Sequence, residues 1–291
     1  MLGPVLIAAI ILGSWLDQWL DGLSAPGWFE RLSGRHTLPP GVVVLPVIGA
    51  LAWMGALELA QLYRQKGIRV SRRVVITFTL MGLAMVAFIP ESLDAVTGVA
   101  MVNSVLSVAL VGSLAFNARH REVQGSAAAA GGALLGVAYL GMMFGFMVLV
   151  RREWSAWVLL WMIAATKASD IGAYFVGRSI GRHKLIPWLS PGKTWEGSFG
   201  GLAFSAGMGA LGVVVLGEQW PMGSVAGLVF GVVISVVGQA GDLVMSLLKR
   251  DAGAKDAGKS LPGFGGILDV LDSVLLAAPV GFWLLRVMRD V

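Results

Sequence analysis

The segment Ser246-Leu247-Leu248-Lys249-Arg250-Asp251-Ala252-Gly253-Ala254-Lys255-Asp256 runs on through Leu261-Pro262-Gly263-Phe264-Gly265-Gly266-Ile267-Leu268-Asp269-Val270-Leu271-Asp272-Ser273. Residues 224–248 before it and 266–287 around its end are strongly apolar. Each apolar run approaches or exceeds the roughly 20 residues that cross a bilayer core. Between them stand Lys249, Arg250, Lys255 and Lys259 together with Asp251 and Asp256, and Asp269 and Asp272 follow just inside the second run. Charge at that density, held against a membrane, reads as a site for phosphates and a divalent metal at the bilayer surface.

The rest of the chain agrees. Of 291 residues, 56% are hydrophobic and 13% charged, with a mean hydropathy of +0.78. Soluble domains carry about 25% charged residues. The pattern predicts an all-α, polytopic integral membrane protein with about nine transmembrane helices. The expected spans are residues 2–20, 42–62, 74–89, 95–116, 127–150, 155–177, 199–216, 224–248 and 266–287. The first is read as a retained helix, because no basic n-region or small-x-small cleavage site marks a signal peptide. Residues 1–150 contribute transmembrane helices alone. Residues 151–291 add the motif-bearing loops, and both halves form one membrane unit.

Cysteine is absent, which excludes disulfides and thiolate metal sites. His36, His120 and His183 are far apart in sequence, which argues against zinc. The net charge of +5 fits cytoplasmic loops facing anionic lipid better than nucleic-acid binding. With the N-terminus inside, most basic residues fall in inner loops, among them Arg64 to Arg73, Arg178 to Lys193 and Lys249 to Lys259. The basic C-terminal tail runs weakly against that orientation. No internal repeat is evident, which counts against an inverted-repeat transporter.

Two charged constellations stand out. Lys167, Asp170, Tyr174 and Arg178 recur at helical spacing on one face of the sixth span. Charges inside a span are costly and mark a cavity or a partner. An internal Lys167–Asp170 ion pair joining helices is the plain alternative. After this span comes Ser190-Pro191-Gly192-Lys193-Thr194-Trp195-Glu196-Gly197. Gly192-Lys193-Thr194 matches the end of a phosphate-binding P-loop, but Pro187 stands where that motif needs its first glycine, and no strand is expected before it. What remains is a polar loop entering a helix, where backbone N–H groups and Lys193 can hold phosphate oxygens. Trp195 reads as an interfacial tryptophan sooner than a base-stacking ring.

In the second constellation Asp242, Ser246 and Lys249 share a helical face, and Asp269 and Asp272 share another at the start of the last span. Three carboxylates near phosphate-binding cations suit Mg²⁺, which takes one or two carboxylates, water and substrate phosphates. First-turn aspartates that only stabilise the helix dipole are the alternative.

Taken together, these motifs from Asp170 to Ser273 resemble the phosphatidate cytidylyltransferases, also called CDP-diacylglycerol synthases. Residues 1–150 match only in being hydrophobic helices. The resemblance implies transfer of a cytidylyl group from CTP to phosphatidate, giving CDP-diacylglycerol and pyrophosphate at the cytoplasmic face of a cell membrane. It implies CTP, phosphatidate and membrane lipids as partners, and a homodimer. It makes Asp242, Asp269 and Asp272 the metal site, with a second metal or monovalent cation left open. Lys249, Arg250, Lys193 and Lys255 would hold CTP phosphates or pyrophosphate. Lys167, Asp170, Tyr174 and Arg178 would shape the site or engage the lipid phosphate. Ser190, Thr194, Ser246 and Ser273 would donate hydrogen bonds. The family pattern has His where Phe264 stands and Arg where Val270 stands. With the aspartates and Lys249–Arg250 intact, an active enzyme is expected. A CTP-dependent lipid kinase, a prenyl-lipid cytidylyltransferase, an inactive relative and a transporter are the alternatives.

Overall fold

A computed structural model describes residues 2–33, 36–90, 93–120, 123–261 and 265–289. Eleven α-helices carry most of them: α1 (Leu2–Leu20), α2 (Gly27–Ser33), α3 (Val44–Gln65), α4 (Arg72–Ala87), α5 (Ala95–Arg119), α6 (Ser126–Leu135), α7 (Met143–Glu153), α8 (Ala156–Ile180), α9 (Trp195–Leu216), α10 (Ser224–Asp251) and α11 (Ile267–Val287). A π-helical segment, Gly136–Met142, joins α6 to α7 without a break.

Among the described residues, six helices are long and apolar enough to cross a membrane: Val44–Gln65, Val96–Arg119, Ser126–Glu153, Trp195–Gln219, Ser224–Asp251 and Ile267–Val287. The other three expected spans also fold as helices, namely α1, α4 and α8. At 16 residues α4 is short of a full crossing. α8 interrupts its apolar sequence with Lys167, Asp170 and Arg178.

One element departs from the all-α expectation. Lys184–Ile186 (β1) and Ser190–Thr194 (β2) pair as an antiparallel hairpin, in register Lys184 with Thr194 and Ile186 with Ser190. A loop is expected there from the sequence. The cause is tertiary: Glu196, in the first turn of α9, accepts from the backbone N–H groups of Arg182 (3.2 Å) and His183 (3.2 Å) and pairs with the His183 ring. That clamp turns the chain back on itself. β2 is itself the Ser-Pro-Gly-Lys-Thr segment and leads directly into α9, with Thr194 Oγ1 capping Gly197 N at 3.1 Å.

The helices that position the site meet through small residues, as expected where lipid supplies no hydrophobic drive between helices. A Cβ on Gly209 of α9 would collide with Gly227 of α10, and one on Gly231 with Ser205. A Cβ on Gly172 of α8 would run into Phe204 of α9, and one on Gly177 would crowd Thr194 at the end of β2. Large apolar side chains fill the remaining core between α3, the π segment, α7, α8, α10 and α11, among them Leu59, Leu140, Phe144, Met162, Ile234 and Leu275. Two buried ionic contacts tie the N-terminal helices to this core. Arg151 of α7 pairs with Asp17 and Asp21 around the end of α1, and Glu58 of α3 reaches the start of α11.

Candidate active site

The α8 face forms as its spacing predicts. Lys167 Nζ donates to Asp170 Oδ2 (2.9 Å) and to Ser273 Oγ of α11 (2.8 Å). Ser273 Oγ in turn donates to the same Asp170 oxygen at 3.0 Å. Further along, Arg178 donates to the exposed Tyr174 hydroxyl at 2.7 Å. The ion pair that could merely have joined helices is therefore part of a network shared with α11.

Two glycines of α10 allow that sharing. A Cβ on Gly241 would meet the Asp272 carbonyl oxygen, and one on Gly238 would touch Thr166 and Ser273. With no side chains in the way, α10 lies close against α11, and Asp242 comes near Asp272. Asp272 is only 6% exposed, and the charges of Asp242, Lys167 and Asp170 all act on it. One of its oxygens accepts from Ser273 N at 2.6 Å.

Lys193, in the hairpin, pairs with Asp242 Oδ2 at 2.7 Å and reaches the Gln239 carbonyl at 3.5 Å. The other Asp242 oxygen accepts a long bond from Ser246 Oγ at 3.4 Å. A polar cavity of about 470 Å³ opens here, lined by Asp170, Tyr174, Arg178, Ser190, Lys193, Thr194 and Asp242 among others. It joins the two constellations, which lie some 70 residues apart in sequence. Trp195 is half exposed at its edge and packs beside Phe199.

Lys249 and Asp269 form a separate pair. Their contact is 2.7 Å, and both side chains are largely buried. The second Asp269 oxygen accepts from the backbone N–H groups of Ala257 (2.8 Å) and Gly266 (3.0 Å). Asp269 thus anchors the charged loop to the first turn of α11. Arg250 donates to the Ala254 carbonyl at 3.3 Å, and Lys255 is exposed. Among the described residues no three carboxylate or histidine side chains converge on one metal position. The trio expected from sequence divides into Asp242 with Asp272 on one side and Asp269, committed to Lys249 and the loop, on the other. Val270 is half-buried on α11, and Phe264 lies outside the described residues.

Three residues that the sequence reading passed over support this arrangement. Glu58, 3% exposed, accepts from Ile267 N (2.8 Å), Leu268 N (3.0 Å) and Ser260 Oγ. A carboxylate on α3 therefore caps the helix that bears Asp269 and Asp272. Its signal was available, since a lone acid inside an apolar span demands a partner. Gln239 gathers α8, α9 and α10: Nε2 donates to Ser235 Oγ (3.1 Å) and Ser198 O (3.2 Å), and Oε1 accepts from Ser198 Oγ. Tyr139 sits in the π segment, 5% exposed, with a hydroxyl that has no hydrogen-bond partner among the described residues and feels the charges of Asp272 and Asp242.

A model of the cytidylyltransferase family matches residues 36–288. The Synechocystis (strain PCC 6803) protein named phosphatidate cytidylyltransferase is 42% identical over 134 residues, 46% of this chain and 45% of that protein. The Bacillus subtilis (strain 168) protein of the same name is 39% identical over 153 residues, 52% of this chain and 56% of its own length. An Escherichia coli (strain K12) protein named uncharacterized protein YnbB is 42% identical over 132 residues, 45% of this chain and 43% of that protein. The chain spans about half the length of these curated relatives. With the family model running from the loop before α3 to the end of α11, and so through every charged group of the candidate site, the chain belongs to the cytidylyltransferase family.

Proposed function

We propose that the chain transfers a cytidylyl group from CTP to phosphatidate, forming CDP-diacylglycerol and releasing pyrophosphate. The observation that carries this reading is the convergence of Lys167, Asp170, Lys193, Asp242, Asp272 and Ser273 at one polar site. Family membership and the names of its relatives favour the same chemistry.

In this reaction a phosphatidate phosphate oxygen bonds to the α-phosphorus of CTP, and the bond from that phosphorus to the bridging oxygen breaks as pyrophosphate leaves. The attacking oxygen is already anionic near neutral pH, so no strong base is required. The obstacle is the approach of two anions, which positioned positive charge offsets. Lys167, Lys193 and Lys249 each hold a carboxylate before substrate arrives. The Lys167 and Lys193 pairs can exchange partners: substrate phosphates draw the lysines, which leaves Asp242 free beside Asp272. Lys193 and Lys249, with Arg250 and Lys255, hold the nucleotide phosphates. Lys167, with Ser273, takes the lipid phosphate, and Arg178 and Tyr174 line the approach. Ser190 donates from the hairpin, while Thr194 mainly caps α9.

Two carboxylates from facing helices, Asp242 and Asp272, beside phosphate-binding cations are a donor set that suits Mg²⁺. They would hold the ion, and Asp269 would orient Lys249. When bound, Mg²⁺ neutralises phosphate charge. On a reading of nine spans with the N-terminus inside, these groups face the cytoplasm, where CTP is available, and homodimerisation accords with the family resemblance.

The test is an assay of purified, reconstituted protein with CTP, phosphatidate and Mg²⁺, beside other nucleoside triphosphates and a metal-free control. Pyrophosphate and a CDP-lipid in equal amounts are expected. CDP with a newly phosphorylated lipid would make the protein a kinase instead, and no turnover with any nucleotide would end the enzymatic reading.

A further inference from the structure

A second cavity lies away from the site just described. It encloses about 540 Å³ where the turn after α3 meets the end of α5, and Arg64, Arg69, Ser71, Phe116, Asn117 and His120 contribute to its lining. Local backbone chemistry builds it. Gly67, at φ +81°, ends α3 by turning the chain through a left-handed conformation that side chains resist. Ile68 N returns to the Tyr63 carbonyl at 2.8 Å, and the extended residues that follow lead from Arg69 to the N-cap Ser71 of α4. Arg64 and Arg69 are thereby brought to one opening. From α5, His120 stacks on Phe116 with ring centroids 4.3 Å apart, and its Nδ1 is engaged by the Phe116 carbonyl at 2.8 Å. Asn117 adds a side chain that is 4% exposed.

The charge balance here differs from that of the active site. There, each key lysine is matched by an aspartate. Here, among the described residues, no carboxylate lines the cavity, and neither Arg64 nor Arg69 forms an ion pair or a side-chain hydrogen bond. The neighbouring Lys66 is spent on Asp251 at 2.6 Å. That contact also sets the cavity's level: it lies at the same end of the bundle as the loop after α10, at the membrane surface. Guanidinium groups left unpaired around a recess match the geometry of phosphate oxygens.

We propose that this cavity is a second anion site, distinct from the catalytic one, that binds a phosphate group at the membrane surface. Its source is the headgroup of an anionic phospholipid or a soluble phosphate. Phe116 and the end of α5 offer an apolar wall to a lipid's glycerol and upper acyl chain, while the arginines take its phosphate.

The full chain is reconstituted into nanodiscs of phosphatidylcholine containing phosphatidylglycerol, a phosphodiester that is not the proposed substrate. Retained lipid is then counted by native mass spectrometry after mild detergent extraction. A parallel arm measures binding of inorganic phosphate to the detergent-solubilised protein. The wild type is expected to retain phosphatidylglycerol, or to bind inorganic phosphate, whichever is the source. Arg64→Ala/Arg69→Ala should weaken that binding roughly a hundredfold or more, because each guanidinium removed takes away a charge-assisted hydrogen bond to the phosphate. Arg72→Ala/Arg73→Ala removes equal charge just outside the cavity and should weaken it far less. Thermal melting confirms that both double variants are folded, and CTP turnover with phosphatidate in neutral detergent should be unaltered by the first. Binding in neither arm, or equal loss in the two double variants, overturns the proposal, because the effect would then be absent or a general surface field.

Discussion

Glu58 offers the sharpest test of how the site is held together. Its carboxylate receives two backbone N–H groups at the start of α11 and the Ser260 hydroxyl, within a nearly closed environment. Those N–H groups belong to the first turn of a helix and have no partner within it. Removing the carboxylate with Glu58→Ala leaves both unsatisfied, at about 1–3 kcal/mol each. A negative charge at a partly buried helix N-terminus contributes up to ~2 kcal/mol more. The expected loss is therefore about 2–8 kcal/mol. Glu58→Gln keeps one carbonyl acceptor and should lose about half as much. The measurement is reversible unfolding in mild detergent, alongside pyrophosphate release. Activity should fall faster than stability, because Asp269, Asp272 and Ser273 sit in the two helical turns that Glu58 secures. Gly258 and Gly266 leave no space for a Cβ beside this carboxylate, so alanine at either should mimic the defect in milder form. A Glu58→Ala protein that loses less than about 1 kcal/mol and keeps full turnover would show that α11 is held by packing alone.

Other outcomes are equally specific. Asp242→Asn should abolish pyrophosphate release while leaving the melting temperature nearly unchanged, since Asp242 is partly exposed and, among the described residues, pairs with Lys193 and, weakly, Ser246; full activity would remove it from the site. Lys193→Ala should raise the KM for CTP more than for phosphatidate, and the reverse pattern would assign Lys193 to the lipid. Tyr139→Phe deletes a buried hydroxyl with no partner among the described residues, so stability should hold or rise by ~1 kcal/mol; a clear loss of stability would mean the hydroxyl is bonded in the folded state. Gly231→Leu should destabilise by about 1–3 kcal/mol or more through overpacking of α9 against α10, read as a lower melting temperature; a neutral result would mean these helices do not cross where the glycines place them.

Much was legible in the sequence because bilayers impose simple rules. Apolar length located every long helix, and helical spacing put Lys167, Asp170, Tyr174 and Arg178 on one face before any contact was known. The charged loop after α10 could be read as part of a phosphate site because charges near lipid are too costly to be idle. The family resemblance rested on the same residues and agrees with the family model.

Pairing was not legible, because it depends on which helices cross and at what height. Sequence alone grouped Asp242, Asp269 and Asp272 as one trio. In the fold, Gly238 and Gly241 bring α10 close enough for Asp242 to join Asp272, while Asp269 turns to Lys249 and the loop backbone. The hairpin holding Lys193 depends on Glu196, and its strands are too short to show an alternating pattern. The role of Glu58 needed its partner, some 200 residues away, to be seen. Composition and periodicity thus determined the solvent each helix faces and the residues sharing its polar side. Close approach through small residues decided which of those polar sides meet, because ion pairs and caps form only over a few ångströms.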